Sequence, residues 1–218
     1  MLHALYIVAL VAVLLSFIRW HRAGQWPCFV ALLIGCIVWE IAYNPQSTTW
    51  MARWIAPLTL TLIPLRTFAV AEIIWKVSRG DWRDRLSIFL TCGFAIAWGA
   101  WGMHENPYQP WAWEWWRDWH RWLNSGTALA LLIPLLIVEV TGCAWPSRFA
   151  RRHAWLLLAW LGNGSAISLV AISRRGLAGR AWITAGNVGY LIGCACYVGW
   201  LLALQPAKRK RDFGEVLL

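Results

Sequence analysis

Arg66 and Glu139 are charged residues inside long apolar stretches, which makes them the first residues of this sequence to need a chemical reason. A charge near the middle of a membrane costs at least ~2.5–3.5 kcal/mol, so it faces other helices and pairs. At a helical rise of ~1.5 Å per residue, the two lie ~6–8 Å apart in depth, which a long arginine side chain covers. We expect Arg66 to pair with Glu139. The pair either lines a path for a proton, ion or ligand or fixes the register of two helices.

Two other carboxylates lie within apolar stretches. Glu72 precedes Lys76 by four residues, the favourable order for an ion pair on one helix, so we expect that local pair. Glu40 lies near the end of its stretch. It reaches the outer interface, bonds Arg53, or contributes to a site that opens outward.

The last two apolar stretches carry amides and small residues. Ala185, Gly189 and Gly193 recur every four residues, a spacing that lets another helix approach closely. Asn163 and Asn187 then either bond across that contact or line a polar cavity. We expect packing to be the main role of this group.

The segment 104–121, HENPYQPWAWEWWRDWHR, is dense in tryptophan. Read as a helix from Pro110, it places four indoles on one stripe: Trp111, Trp115, Trp119 and Trp122. Tryptophan prefers the boundary between membrane and water. We expect an amphipathic helix lying in that boundary, and the alternatives are an aromatic surface for a flat or cationic ligand and a docking face for a partner.

Metal binding has weak support in the sequence. His3, His104 and His120 fall on the same predicted side as Glu105 and Asp118, and histidine with carboxylate suits copper or zinc. None of the three has the spacing of a known ligand pair. The six cysteines form no CxxC pattern and lie in or beside apolar stretches, where free cysteine packs as a small hydrophobic residue.

The elements that carry these residues follow from composition. The chain has 218 residues, 60% of them hydrophobic and 14% charged, whereas a soluble domain averages about 45–50% apolar and about 25% charged. A membrane-spanning helix needs ~20 mostly apolar residues. We therefore predict an all-α integral membrane protein, a single bundle of about seven spans over residues 1–204, followed by a basic tail, 205–218. The predicted spans are 2–18, 26–43, 54–75, 86–103, 122–143, 154–172 and 181–204.

The basic residues between these spans predict the orientation. Cytoplasmic loops carry an excess of lysine and arginine. With the N-terminus outside, the inner loops and tail hold Arg19, Arg22, Lys76, Arg79, Arg83, Arg85, Arg148, Arg151, Arg152, Lys208, Arg209, Lys210 and Arg211. The outer loops hold Arg53, Arg117, Arg121, Arg174, Arg175 and Arg180. The excess favours an outer N-terminus and an inner C-terminus. The loop 173–180 does not fit this orientation, because it is basic yet falls on the outer side. It would lie inside if the last two spans formed a re-entrant pair.

Several functions are excluded at this point. The formal charge of +10 is spread over loops beside spans rather than gathered on one face, which argues against nucleic-acid binding. A retinal Schiff base needs a lysine within the last span, and 181–204 has none. The loops leave no room for a soluble catalytic domain.

We expect a non-catalytic subunit, scaffold or sensor in a membrane complex, with a protein partner or a second copy of itself. The first alternative is a small transporter or channel that uses Arg66 and Glu139. The second is a membrane redox subunit with a metal or quinone site on its outer face. The expected location is a bacterial cytoplasmic membrane, which the chain crosses several times.

Overall fold

The computed structural model describes residues 2–42, 50–78, 82–104, 113–142, 145–173 and 180–205. Within those ranges the chain forms seven α-helices and no strand, which confirms the all-helical prediction. The helices are α1 (Leu2–Arg19), α2 (Pro27–Ala42), α3 (Trp50–Ser78), α4 (Trp82–Gly102), α5 (Trp113–Thr141), α6 (Arg148–Ser173) and α7 (Arg180–Leu204). A short 3-10 helix, Ala23–Gln25, joins α1 to α2. Each predicted span corresponds to one helix.

Local sequence signals set the ends of several helices. Pro27 is the first residue of α2, a position where the missing N–H of proline costs nothing. The Ser147 hydroxyl accepts the backbone N–H of Ala150 at 3.0 Å and so caps the start of α6. Gly142 has a φ of +66° directly after α5, the left-handed conformation that commonly ends a helix.

Six of the helices close into a ring. In chain order α1, α2, α3, α5, α6 and α7 each contact the next, and α7 returns to contact α1. Helix α4 packs on α3 and α5, which also contact each other directly, so α4 lies outside the ring. The ring encloses a core of large side chains that are almost fully buried, including Phe17, Phe29, Leu131, Leu157 and Trp200.

From Trp113 onward, the tryptophan-rich segment is part of α5 rather than a separate helix. Helix α5 begins at Trp113 and continues without a break to Thr141, so the predicted amphipathic helix forms the first turns of a 29-residue helix. Trp111 lies outside the described residues. Pro134 is tolerated inside the helix.

Helices α4 and α5 approach each other through glycines. A Cβ on Gly126 of α5 would lie 2.9 Å from the Ala95 carbonyl oxygen of α4. A Cβ on Gly102 of α4 would lie 2.0 Å from the Trp122 ring. The close contact lets Trp98 Nε1 donate to Ser125 Oγ at 2.8 Å. Small residues thus allow aromatic side chains to fill this interface.

Large hydrophobic side chains are exposed on several helices in the described part of the chain. Leu5, Val8, Leu15 and Ile18 of α1 are each more than half exposed, while the opposite face of the same helix is fully buried. Large exposed hydrophobic residues also occur on α2, α3, α4, α5 and α7. Among the described residues, Arg121–Thr141 and Asn187–Leu204 are long and apolar enough to cross a membrane, and His3–Arg19 and Pro27–Ala42 are apolar but shorter.

Candidate functional site

A buried carboxylate near one end of the bundle is the centre of the candidate site. Glu40, close to the C-terminal end of α2, is 8% exposed. Its Oε2 lies 2.8 Å from His3 Nε2, near the start of α1. The His3 side chain is 37% exposed, so the pair connects a buried position with the end of the bundle. The structure therefore gives Glu40 a partner on another helix rather than a free position at the interface. Arg53, the other partner considered, has no described side chain.

Arg66 of α3 lies close enough to this carboxylate for its charge to act on it. Its charge acts on Glu40 and on the Cys36 thiol one helical turn earlier, and the guanidinium lies within hydrogen-bonding reach of that thiol. Cys36 is buried. Helices α2 and α3 pack together directly, which brings Arg66 near these two side chains.

Glu139 has a different partner, so the predicted pair of Arg66 and Glu139 is wrong. Its two carboxylate oxygens accept from Arg151 Nε at 2.8 Å and Arg151 Nη2 at 2.7 Å. Trp155 Nε1 donates to the same carboxylate at 3.1 Å. Glu139 lies in the last turn of α5, and Arg151 follows it by 12 residues in the first turns of α6. The reason is the short connection between these helices, which turns the chain back beside Glu139.

Glu72 also differs from its prediction. Its carboxylate accepts the backbone N–H groups of Cys28 and Phe29, in the first turn of α2. Lys76 instead donates to the Gln25 carbonyl and lies over the Trp26 ring, 4.6 Å from its centroid. Glu72 therefore caps a neighbouring helix, whose free N–H groups attract a carboxylate.

A group of aromatic side chains packs beside Glu40 and His3. Trp160 Nε1 donates to the Tyr6 hydroxyl at 3.2 Å and so joins α6 to α1. The Tyr6 ring lies 5.1 Å from both the Tyr190 and the Tyr197 ring centroids on α7. Gly193 makes room for it, since a Cβ there would lie 2.6 Å from the Tyr6 ring. The Tyr197 hydroxyl is buried without a hydrogen-bond partner among the described atoms.

His153 is a fully buried residue that sequence reasoning missed. Trp200 Nε1 donates to His153 Nδ1 at 2.9 Å, so Nδ1 carries no proton and the imidazole is neutral. The rings of Trp26 and Phe29 meet it edge to face, at 4.4 and 4.5 Å. A signal was present: His153 shares the spacing of the buried residues of α6, Ala150, Leu157 and Trp160 among them. The predicted span 154–172 begins one residue after His153 and so leaves it out.

The polar contact between α6 and α7 follows the packing interpretation in part. Asn163 Nδ2 donates to the Gly189 carbonyl at 2.9 Å, across the two helices. Gly189 and Gly193 are buried, as a small-residue contact surface requires. Asn187 is exposed and so does not line an internal cavity. The side chain of Ala185 lies outside the described residues.

The tryptophan stripe is directed partly into the protein. Trp122 packs on Trp98 and Trp101 of α4, with ring centroids 6.1 and 6.0 Å apart. Trp119 Nε1 lies 3.5 Å from where a Cβ on Gly99 would be. Trp119 and Trp122 thus help to hold α4 on α5 and do not form an open ligand surface. The side chains of Trp111 and Trp115 lie outside the described residues.

Two of the three histidines considered as metal ligands, His3 and His104, have described side chains. His3 is engaged by Glu40, and His104 is exposed at the end of α4. The side chain of His120 lies outside the described residues. No group of three or more His, Cys, Asp or Glu side chains within the described ranges is arranged to hold a metal ion.

The arrangement as a whole uses polar groups to join helices. His3 with Glu40 joins α1 to α2, Tyr6 with Trp160 joins α1 to α6, and Asn163 with Gly189 joins α6 to α7. Comparison with protein-family models, with curated proteins and with solved structures finds no match. Functional inference therefore rests on the geometry of these residues.

Proposed function

We propose that this chain is an integral membrane protein that crosses the bilayer seven times. The observation that supports it is the exposure of large hydrophobic side chains around the bundle, such as Leu5 and Val8 on α1 and Val140 on α5. Soluble monomers rarely expose contiguous apolar patches larger than a few hundred Å². A helix that is apolar on its buried face and its outer face alike is typical of a membrane span.

Helix lengths agree with this placement. Helices α6 and α7 have 26 and 25 residues. Each is therefore ~38 Å long, more than the ~30 Å of hydrocarbon in a bilayer. This favours two full crossings over a re-entrant pair. Helix α2, with 16 residues, is ~24 Å long and requires local thinning of the bilayer.

The proposed orientation places the N-terminus outside and the C-terminus in the cytoplasm. Basic residues from three separate connections meet at one end of the bundle: Arg22 lies 5.1 Å from the Phe149 ring centroid, and Lys76 donates to the Gln25 carbonyl. Arg148, Arg151 and Arg152 begin α6 at this same end. We take it as the inner end, because cytoplasmic loops carry the excess of positive charge.

Reporter fusions in a bacterial host test this topology. Alkaline phosphatase, active only outside, is fused after His104, at position 176 and after Gln205, and a fluorescent protein that folds only inside is fused at the same places. We expect phosphatase activity at the first two positions and fluorescence at the third. Fluorescence at position 176 contradicts the seven-span arrangement, and extraction of the chain from membranes by alkaline carbonate contradicts membrane insertion altogether.

Within the membrane, we propose that the chain is a non-catalytic subunit, scaffold or sensor of a larger complex. The supporting observation is that its internal polar side chains join helices to one another: His3 to Glu40, Trp160 to Tyr6, and Trp200 to His153. Groups engaged in this way hold a bundle in one arrangement. The aromatic side chains that pack around Tyr6 and His153 stabilise the same contacts between helices.

Native mass spectrometry of the chain, extracted gently from its own membrane, tests the subunit role. The expected result is a protein partner at fixed stoichiometry that is retained over several detergents. A matched sample extracted in harsh detergent should show the chain alone. A monomer or homo-oligomer in every mild detergent contradicts the proposal and favours a transporter or channel instead.

The second candidate is a small transporter or channel, and one observation favours it. Glu40 is a buried carboxylate that lies near the Arg66 charge and contacts the half-exposed His3. A carboxylate so placed is typical of proton and ion paths. In proteoliposomes with a trapped pH dye, Glu40→Gln should abolish proton flux, whereas Glu139→Gln, on a carboxylate at the other end of the bundle, should not. Equal flux in the two variants and the unchanged chain contradicts this candidate.

A further inference from the structure

The groove between the start of α6 and the end of α7 combines a basic rim with an apolar floor. Its volume is about 780 Å³, within the range of ligand sites. Arg148, Arg151 and Arg152 form the rim, and Leu156, Gly199 and Leu202 contribute to the floor. None of the functions proposed above uses this groove.

The rim carries positive charge that the described protein leaves uncompensated. Arg151 is held by Glu139 through two hydrogen bonds and is thereby neutralised. In the described part of the chain Arg148 and Arg152 form no ion pair, and both are exposed. Both also lie in the first turns of α6, where the partial positive charge of a helix start already opposes a cation. An anion at the rim would neutralise these two arginines and would also interact favourably with the helix start.

The floor points to an amphiphilic anion rather than a free one. Gly199 lets Leu156 lie deep against α7, since a Cβ there would come within 2.6 Å of a Leu156 methyl group. Leu202 is 61% exposed and continues the apolar outer face of α7 that includes Val198 and Leu191. A ligand whose anionic head contacts the rim therefore has an apolar surface along which its chains extend.

We infer that this groove binds an anionic phospholipid of the inner leaflet, with its phosphate against Arg148 and Arg152 and its acyl chains along Leu202 and the outer face of α7. Basic pockets between spans on the cytoplasmic side bind such head groups. Arg151, fixed by Glu139 and Trp155, holds the third side of the rim in place. The inference rests on the proposed membrane placement and orientation.

Native mass spectrometry with added lipids tests the inference on the full chain. The purified chain is titrated with phosphatidylglycerol and with phosphatidylcholine of the same acyl chains. We expect tighter binding of phosphatidylglycerol, and about thirtyfold weaker binding in the double variant Arg148→Gln with Arg152→Gln. That factor corresponds to about 2 kcal/mol, from about 1 kcal/mol for each basic residue near a membrane surface.

Matched variants locate the site. The variant Arg19→Gln with Arg22→Gln removes the same charge from the same end of the bundle and should keep the preference. A variant of the tail with Lys208, Arg209, Lys210 and Arg211 replaced by Gln should also keep it. Leu202→Glu, at an exposed floor position, should weaken binding without touching the rim. Circular dichroism checks that each variant retains its helices.

Three results overturn the inference: equal binding of the two lipids, an unchanged preference in the rim variant, and loss of the preference in the tail variant alone. A competition titration with inorganic phosphate tests whether the acyl chains contribute to binding. If phosphate displaces the lipid at the same concentration as the lipid, the acyl chains contribute nothing, and a lipid is not the occupant. If the lipid titration shows no preference but the chain stays in membranes washed with alkaline carbonate, the lipid site is contradicted and the proposed membrane insertion is not. Release of the chain by carbonate contradicts both the membrane insertion and the lipid site.

Discussion

The carboxylate of Glu72 lies 3.1 Å from the backbone nitrogen of Phe29, 43 residues earlier in the chain. It accepts this N–H, and that of Cys28 at 3.4 Å, so a residue of α3 caps the first turn of α2. Capping groups normally come from the helix they cap or from the residue before it. Here the residues before α2 are Gln25 and Trp26, and the capping oxygen comes from a neighbouring helix.

Removal of this cap should destabilise the bundle. Glu72→Ala is expected to lower the free energy of unfolding by about 1–2 kcal/mol, the usual effect of losing a helix cap. Glu72→Gln, which keeps one acceptor oxygen, should lose less. The measurement is unfolding in mixtures of mild detergent and sodium dodecyl sulfate, followed by circular dichroism. An effect no larger than that of Lys76→Gln would mean that the contact with α2 contributes nothing.

Gly126 should be intolerant of any side chain. Gly126→Ala places a Cβ 2.9 Å from the Ala95 carbonyl oxygen, so α4 and α5 must separate and unfolding should become easier. Gly93→Ala is the matched control, because nothing lies within 4 Å of its Cβ. There the change should stabilise the chain by up to about 1 kcal/mol, since alanine favours a helix over glycine. Opposite signs for the two variants, in the same detergent assay, are the expected result.

Trp200→Phe should lower the stability of the bundle, because it removes the hydrogen bond from Trp200 to His153. The change removes the donor to His153 Nδ1 and leaves a fully buried acceptor without a partner, at a cost of about 1–3 kcal/mol. The double variant with His153→Leu removes both polar groups and should recover part of that loss. If the double variant is less stable than Trp200→Phe, the bond is not the main contribution of these two residues.

Double-mutant cycles distinguish the two possible partners of Arg66. The coupling energy between Arg66→Gln and Glu40→Gln should be at least about 0.5 kcal/mol, as for residues that share one network. The cycle of Arg66→Gln with Glu139→Gln should be additive within about 0.5 kcal/mol, because Glu139 is bound by Arg151. Coupling in the second cycle and none in the first would contradict the placement of the Arg66 charge beside Glu40.

The Glu139 and Arg151 pair should contribute little to stability. Both side chains are partly exposed, at 25% and 55%, and exposed ion pairs are worth about 0.2–1 kcal/mol. Arg151→Gln should therefore change the unfolding free energy only slightly. Its clearer effect should be on lipid binding at the groove, measured by the same lipid titration. A large loss of stability without any change in lipid binding would assign the pair a purely structural role.

The helices of this chain were predictable because each requires only a local property, a run of apolar residues of sufficient length. Each of the seven predicted segments corresponds to a helix, and the ends marked by Pro27 and Gly142 follow from rules that involve a few neighbouring residues. The tryptophan-rich segment was predicted as a separate helix because its charged residues excluded it from the apolar span 122–143. Its helix in fact continues into α5.

The partners of the buried charges were not predictable in the same way. Depth along a helix is readable from the sequence, and it placed Arg66 and Glu139 within reach of each other, but depth says nothing about which helices adjoin or which way a side chain faces. Packing of α1 and α3 on α2 brought His3 into contact with Glu40 and placed the charge of Arg66 near it, and the short connection between α5 and α6 brought Arg151 to Glu139. A buried ion pair depends on contacts that form only when helices distant in the chain come together, and so it is a property of the folded bundle.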